Sequence, residues 1–185
     1  MGGGTVANPA RRRVKLAALG QTGGEMTRYL VILLVVLLAV CGCSLNKHVA
    51  SQLSTEDQIR EAVFRYQFEF NASGLGKAAN AYFLSVGHHE DPSPELLKQF
   101  TAHHPVVKPV SASTLEPGTA QVLDKETGLP GLIFRVTEIR WLSDDEVEVD
   151  GGYYEASESA TGNTYRVVKE AAGWAVVGCQ MLWIK

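Results

Sequence analysis

The pattern of apolar and polar positions divides the chain into an N-terminal apolar run and a longer, mixed body. From Tyr29 to Val40 the sequence reads YLVILLVVLLAV, twelve residues without a charge, and through Cys43 the run reaches fifteen. A bilayer-spanning helix needs roughly 20 apolar residues, whereas the apolar part of a cleaved signal peptide has roughly 7 to 15. Arg28 supplies the positive charge that precedes such a part. The run is therefore predicted to belong to a signal peptide.

Met26 offers a second start position, because the chain read from this residue begins with a compact signal. Residues 1–25, rich in glycine and basic side chains, are then either a misassigned start or an unusually long basic leader, and the misassigned start is favoured. The signal peptide is placed at residues 26–42, followed by a polar tether at 43–54. One folded domain is predicted from 55 to 185.

The first half of the body shows helical periodicity. Ile59, Val63, Tyr66 and Phe70 recur at i, i+4, i+7 and i+11, which predicts an amphipathic helix that starts at Thr55. Residues 76–87 fit either a second helix or a helix that runs into a strand. Residues 93–100 predict a further helix, with serine at the N-cap and proline at the first helical position.

The second half changes to the two-residue period of strands. Alternating segments at 131–141, 147–157, 164–171 and 174–184 predict four strands. Gly151-Gly152 predicts a bulge or bend, and Gly162-Asn163 predicts a hairpin turn. Cys179 lies in the last of these segments and is expected to be a small buried apolar residue.

Helices followed by hairpin-linked strands indicate an α+β fold, with N-terminal helices packed on a curved antiparallel sheet. The leading EDQIREAVFRYQFEF and the closing GGYYEASESATGNTYRVVKEAAGWAVVGCQMLWIK resemble the nuclear-transport-factor-2-like superfamily, the cone-shaped fold shared with ketosteroid isomerases. The resemblance covers about residues 55–185 and rests on element order. It implies a pocket between the sheet and the leading helix.

The charge is distributed unevenly. Five of the 17 basic residues and one of the 20 acidic ones precede Leu30, so the chain from Ser44 onward has 12 basic and 19 acidic residues, a net charge of −7. Nucleic-acid binding needs clustered lysines and arginines on the folded body, so no nucleic-acid partner is predicted. The acidic segment 143–150 lacks the spacing of a calcium loop and is interpreted as a turn and a solvated strand face.

The end of the apolar run, LLAVCGCS, resembles the lipobox of bacterial lipoproteins, in which a small residue precedes the cysteine that receives the lipid. Gly42 before Cys43 fits this pattern better than Val40 before Cys41, so Cys43 is the predicted lipid attachment site. Two or more acyl chains would hold the protein firmly on a membrane. The resemblance places it in the bacterial cell envelope, and Ser44 suits the periplasmic side of the outer membrane of a Gram-negative cell.

Four histidines, His88, His89, His103 and His104, bracket the predicted helix at 93–100. Imidazoles can bind transition metals, but a helix of this length separates the two pairs by about 15 Å and the spacing matches no common zinc motif. Solvated loop histidines are the favoured interpretation. No metal site and no cofactor are predicted.

In ketosteroid isomerases the pocket holds an acidic base and tyrosine donors, so the resemblance makes Tyr66, Tyr82, Tyr153, Tyr165 and Asp150 candidate pocket residues. None of them matches a catalytic motif, and no catalytic residue is assigned. Aromatic residues at helical and strand spacing more often belong to a core.

Three functional hypotheses follow. The leading one is a lipid-anchored module that binds a small molecule or a protein; the second is an isomerase, lyase or hydrolase that acts on a small apolar molecule. The third is a membrane protein whose signal anchor stays uncleaved. Apolar residues on both faces of the last segment permit, without requiring, a homodimer through the sheet.

Metabolic labelling with a palmitate analogue tests the lipid site. We expect label in the wild type and in Cys41→Ala but none in Cys43→Ala, because only the residue after Gly42 carries the lipid. Label that is lost in Cys41→Ala and kept in Cys43→Ala contradicts this choice. Mass spectrometry of the mature N-terminus locates the cleavage site and separates a lipoprotein from an uncleaved anchor.

Overall fold

The computed structural model describes residues 53–185. The predicted signal peptide, Cys41 and the lipid site Cys43 lie outside the described residues, as does most of the tether. Within the described part, no helix is long and apolar enough to cross a membrane.

The first predicted helix is confirmed as α1, Thr55–Phe70. Its N-cap is Ser54, whose hydroxyl accepts a hydrogen bond of 3.1 Å from the backbone N–H of Asp57. Acidic residues in the first turn complement the positive end of the helix dipole. Ile59, Val63 and Phe64 are buried completely, so the periodic apolar face does meet a core.

A second, short helix, α2, spans Pro94–Lys98, and the hydroxyl of Ser93 caps it by accepting from the N–H of Leu96. The ambiguous segment at 76–87 forms a 3₁₀ turn, Gly76–Ala78, that leads into a strand. The described part contains eight strands: β1 Ala81–Val86, β2 Val106–Pro109, β3 Ser113–Leu115, β4 Val122–Asp124, β5 Gly131–Ser143, β6 Glu146–Ala156, β7 Ser159–Glu170 and β8 Gly173–Ile184.

Six of these strands form one sheet in the order β2-β1-β5-β6-β7-β8, and β3 pairs with β4 in a separate hairpin. From β5 to β8 the neighbours are antiparallel. β1 is parallel to both of its neighbours, β2 and β5. The sheet is therefore mixed, and the connection from β1 to β5 is a long crossover that contains α2, β2 and the β3–β4 hairpin.

The predicted fold class, N-terminal helices packed on a curved antiparallel sheet, is wrong. Residues 53–185 are mostly strand, they contain one helix longer than five residues, and their sheet is mixed. The short strands β1 to β4 caused the error. A short apolar run such as AYFLSV is ambiguous between helix and strand when read alone, and its parallel partner β5 lies about 50 residues away.

Two apolar cores lie on opposite faces of the sheet. The larger one joins α1 to the face that presents Leu132, Phe134, Val147 and Val149. The smaller one lies beneath the β3–β4 hairpin and contains Ala81, Phe83, Val110, Val122 and Ile133. Successive residues of a strand point to opposite faces, which is why Phe134 and Ile133 belong to different cores.

The two glycine predictions had different outcomes. A bulge does occur opposite Gly151, on the partner strand at Thr137, where the β5–β6 register shifts. The predicted Gly162-Asn163 turn is wrong, because β7 runs straight through both residues. An added Cβ at Gly162 would lie within 3 Å of the indole ring of Trp183, so that side chain would have to move.

β8 forms one edge of the six-stranded sheet and carries several exposed apolar side chains: Val177, Met181, Leu182, Trp183 and Ile184. Cys179 in this strand is exposed, so the expectation that it is buried is wrong. An edge strand has a strand neighbour on one side only, so the backbone N–H and C=O groups of its outer side have no ladder partner. The homodimer through the sheet stays a prediction.

Candidate functional site

A cavity of about 240 Å³ lies between the C-terminal half of α1 and strands β5 to β8. Three of the five candidate pocket residues, Tyr66, Tyr153 and Tyr165, line it, whereas Tyr82 and Asp150 do not. Phenylalanine, methionine, cysteine, alanine, threonine and amide side chains complete the wall. No lining residue carries a carboxylate, an imidazole or a basic group, so the cavity is neutral.

A cluster of polar side chains stands at the inner wall of this cavity. The side-chain amide of Gln67 donates to the backbone oxygen of Arg135 at 2.9 Å and to the hydroxyl of Tyr165 at 3.3 Å. Asn163 donates to the same hydroxyl at 3.1 Å and to Thr161 at 3.2 Å. The Tyr165 oxygen thus accepts from two amides.

The remaining oxygen of Gln67, Oε1, is buried and has no hydrogen-bond donor among the described residues. Gln67 itself is only 3% exposed. A reversed amide would set Oε1 against the Arg135 carbonyl, two acceptors facing each other, so the orientation is determined by its partners. Leaving such an acceptor unpaired costs about 1–3 kcal/mol.

Gly151 allows this arrangement. An added Cβ at this position would collide with the Arg135 carbonyl oxygen and lie 2.9 Å from Nε2 of Gln67. The bulge at Thr137 and the missing side chain at Gly151 together let the helix amide reach a strand carbonyl. The Gly-Gly pair that predicted a bend is thus also a condition for the polar cluster.

Three ionisable groups of the cavity, Tyr66, Tyr165 and Cys179, are held in their neutral forms. Burial raises the pKa of Tyr165 to about 12, and partial desolvation on the cavity side raises the pKa values of Tyr66 and Cys179. In each case desolvation penalises the charged form. These three groups therefore supply no base at neutral pH.

Asp150 and Tyr82 serve other parts of the structure. The carboxylate of Asp150 accepts from both terminal nitrogens of Arg140 and from Thr164, and the hydrogen bonds from Arg140 hold its pKa below the ordinary value. Tyr82 is buried against Phe68 and Phe134, and its hydroxyl donates to the Gly76 carbonyl. Neither residue reaches the cavity between α1 and the sheet.

The four histidines form no metal-binding cluster within residues 53–185. His103 packs against Phe68 with ring centroids 4.7 Å apart, and its Nδ1 lies 2.8 Å from the Pro105 carbonyl oxygen. His88 and His89 follow β1 in a turn. Within residues 53–185 no three histidine, cysteine or acidic side chains are grouped closely enough to hold a metal ion.

The sequence interpretation missed Gln67 and Asn163. Gln67 follows Ile59 and Val63 at four-residue intervals, so an amide on the buried face of an otherwise apolar helix was the available signal. Asn163 was assigned to a turn because it follows glycine. Its position opposite Gly151 in the β6–β7 register places it inside the sheet instead.

The Gly151→Ala substitution tests the close approach of α1. We expect the free energy of unfolding to fall by about 1–3 kcal/mol, because the added methyl group displaces Gln67 from the Arg135 carbonyl. Urea denaturation measures this change in the free energy of unfolding. The matched control is Gly74→Ala, whose Cβ would meet nothing within 4 Å. Equal stabilities of the two variants would contradict the contact.

The high pKa of Tyr165 predicts alkaline sensitivity. The unfolded chain loses the phenol proton near 10.0 and the folded chain near 12, so the free energy of unfolding falls as the pH rises through this window. A difference of two pKa units between the folded and unfolded chain lowers the free energy of unfolding by at most about 2.7 kcal/mol. In Tyr165→Phe this contribution is absent, and denaturation at pH 8 to 12 should show a flatter profile than that of the wild type. Parallel profiles would show that the phenol does not titrate in this range.

No family model matches the chain, and no curated protein matches it. Among solved structures, a domain of unknown function with a cystatin-like fold from Nostoc punctiforme is similar to it, with 16% sequence identity over 70% of this chain and 78% of that chain. The TM-score is 0.29, so the similarity carries no argument about function.

Proposed function

We propose that the protein is a lipid-anchored binding module of the bacterial cell envelope. Its cavity between α1 and the sheet receives a small neutral molecule that is partly apolar and carries one hydrogen-bond donor. Cys43 holds the domain at the membrane surface, and the polar residues up to 54 serve as the tether. The ligand reaches the domain from the aqueous compartment that the membrane borders.

The unpaired Oε1 of Gln67 supports this proposal most directly. A buried acceptor without a donor is uncommon in native structures, and a donor from a ligand would satisfy it. The same amide is held by Arg135 and Tyr165, so its oxygen is oriented before any ligand arrives. Such preorganisation lowers the entropic cost of binding.

The composition of the wall supports binding rather than catalysis. An isomerase or lyase of the ketosteroid isomerase type needs a carboxylate base beside the substrate, and the lining residues include none. The ionisable groups with shifted pKa values, Tyr66, Tyr165 and Cys179, are all shifted toward the neutral form. A site whose lining residues carry no charged side chain suits recognition of a neutral ligand.

Isothermal titration of the full chain in a neutral detergent tests the cavity, with phenol and anisole as probes. The two probes share a ring, but only phenol has a donor. We expect phenol to bind at least tenfold more tightly than anisole, and Gln67→Met to abolish this difference because it removes the acceptor. Equal binding of both probes by the wild type, or no binding of either, overturns the proposal.

A steric variant provides a control that does not disturb the polar cluster. Met181 lines the cavity from β8 and is 54% exposed, so Met181→Trp should fill the cavity and abolish phenol binding with little loss of stability. Leu182→Trp is the matched control, since Leu182 is equally exposed but does not line this cavity. Loss of binding in both variants would place the probe elsewhere.

A further inference from the structure

The face of the sheet opposite α1 carries an arginine that has no acidic partner within residues 53–185. Four of the five arginines in residues 53–185 have a carboxylate within 4.0 Å: Arg60, Arg65, Arg140 and Arg166. Arg135 has none in this part of the chain, although Asp150 lines a neighbouring cavity with it. That carboxylate is already held by Arg140 and Thr164.

Arg135 is also partly removed from water. Along β5, Arg135 lies two residues after Ile133, and residues two apart in a strand point to the same face. Its side chain is therefore on the side of the smaller core. The guanidinium carbon lies 6.0 Å from the ring centroid of Tyr154, at the outer limit of a cation–π contact. Burial lowers the pKa of this guanidinium from its ordinary value. A half-buried cation without an anion is costly, and an anionic ligand would offset that cost.

A second unpaired polar group lies on the neighbouring strand. Ser85 of β1 is the register partner of Arg135, and residues paired in this way present side chains to the same face. The hydroxyl of Ser85 is buried and has no hydrogen-bond partner among the described residues. Two adjacent positions on one face therefore carry donors that no acceptor of the described chain satisfies.

Beside Arg135 is a groove of about 430 Å³ between the sheet and β3. Its wall combines the guanidinium and the imidazole of His89 with the hydroxyl-bearing residues Ser113 and Thr114 and with an apolar part from Leu115 and Ile133. No carboxylate lines it. Tyr154 also lines the groove, and its ring is held in place because its hydroxyl donates to the Ala120 carbonyl at 3.2 Å.

We propose that this groove binds a small organic monocarboxylate, with the carboxylate paired to Arg135 and an apolar group laid against Leu115 and Ile133. The planar guanidinium matches a carboxylate through two parallel hydrogen bonds. One positive charge in a body of net charge −7 favours a monoanion over a dianionic phosphate. This site is separate from the neutral cavity, which opens on the other face of the same sheet.

Titration of the full chain in a neutral detergent tests the site with hexanoate, its uncharged analogue hexanamide, and inorganic phosphate. We expect hexanoate to bind at least tenfold more tightly than either of the others. Arg135→Gln should reduce hexanoate affinity at least tenfold, and Arg135→Lys should restore only part of it, because lysine keeps the charge but not the two-point geometry. Equal binding of hexanoate and hexanamide, binding of phosphate as tight as that of hexanoate, or no hexanoate binding by the wild type overturns the proposal.

A variant at the rim keeps the test informative if substitution of Arg135 disturbs folding. Leu115→Glu introduces a carboxylate beside the groove at a position that is 49% exposed, and it should compete for Arg135 and weaken hexanoate binding at least tenfold. Leu129→Glu is the matched control, since Leu129 is 50% exposed and does not line the groove. Unchanged affinity in Leu115→Glu, or an equal loss in both variants, contradicts the site. Phenol binding is measured in parallel, so failure of one site is distinguished from failure of the other.

Discussion

The hydrogen bond from Gln67 to the backbone oxygen of Arg135 determines how α1 sits on the sheet. It brings a helix side chain to a strand carbonyl in the middle of an apolar core, where a misplaced amide would be costly. The contact is available only because β5 bulges at Thr137 and Gly151 has no side chain. Apolar packing alone would tolerate small shifts of the helix, whereas this pair restricts it to one position.

The cavity follows from that position. α1 packs tightly against the sheet around Val63 and Phe64, both completely buried, and leaves space near its C-terminal end. There Gln67 and Asn163 converge on the hydroxyl of Tyr165, and burial keeps that phenol neutral. The polar groups that hold the helix are thus the same groups that line the cavity.

Residue 135 links the two faces of the sheet. Its carbonyl oxygen accepts from the helix amide on one side, while its guanidinium lies in a groove on the other side. The alternation of strand side chains separates a neutral cavity from a basic groove by the thickness of one sheet. The two proposed ligands accordingly differ in charge: a neutral donor on the helix side and a monocarboxylate beneath the hairpin.

Much of the local structure was readable from the chain. The caps and the apolar face of α1, the serine–proline start of α2 and the strand-forming segments of the second half all depend on neighbouring residues. Three of the tyrosines that the resemblance suggested as pocket residues lie in the cavity wall, but their binding role stays a prediction. The same approach misplaced Asp150, because nothing near it in sequence shows that Arg140 holds it on the far face.

The sequence by itself determined the strongly periodic elements, the acidic charge of the body and the lipobox-like pattern at Cys43, because each depends on residues within a few positions of one another. Tertiary structure alone decided the mixed order of the strands, the approach of Gln67 to Arg135 and the absence of an acidic partner for that arginine among the described residues. These features arise from contacts between residues 50 to 70 positions apart. Local propensity carries no information about such pairs, and the bulge that permits them becomes visible only once the strands are aligned.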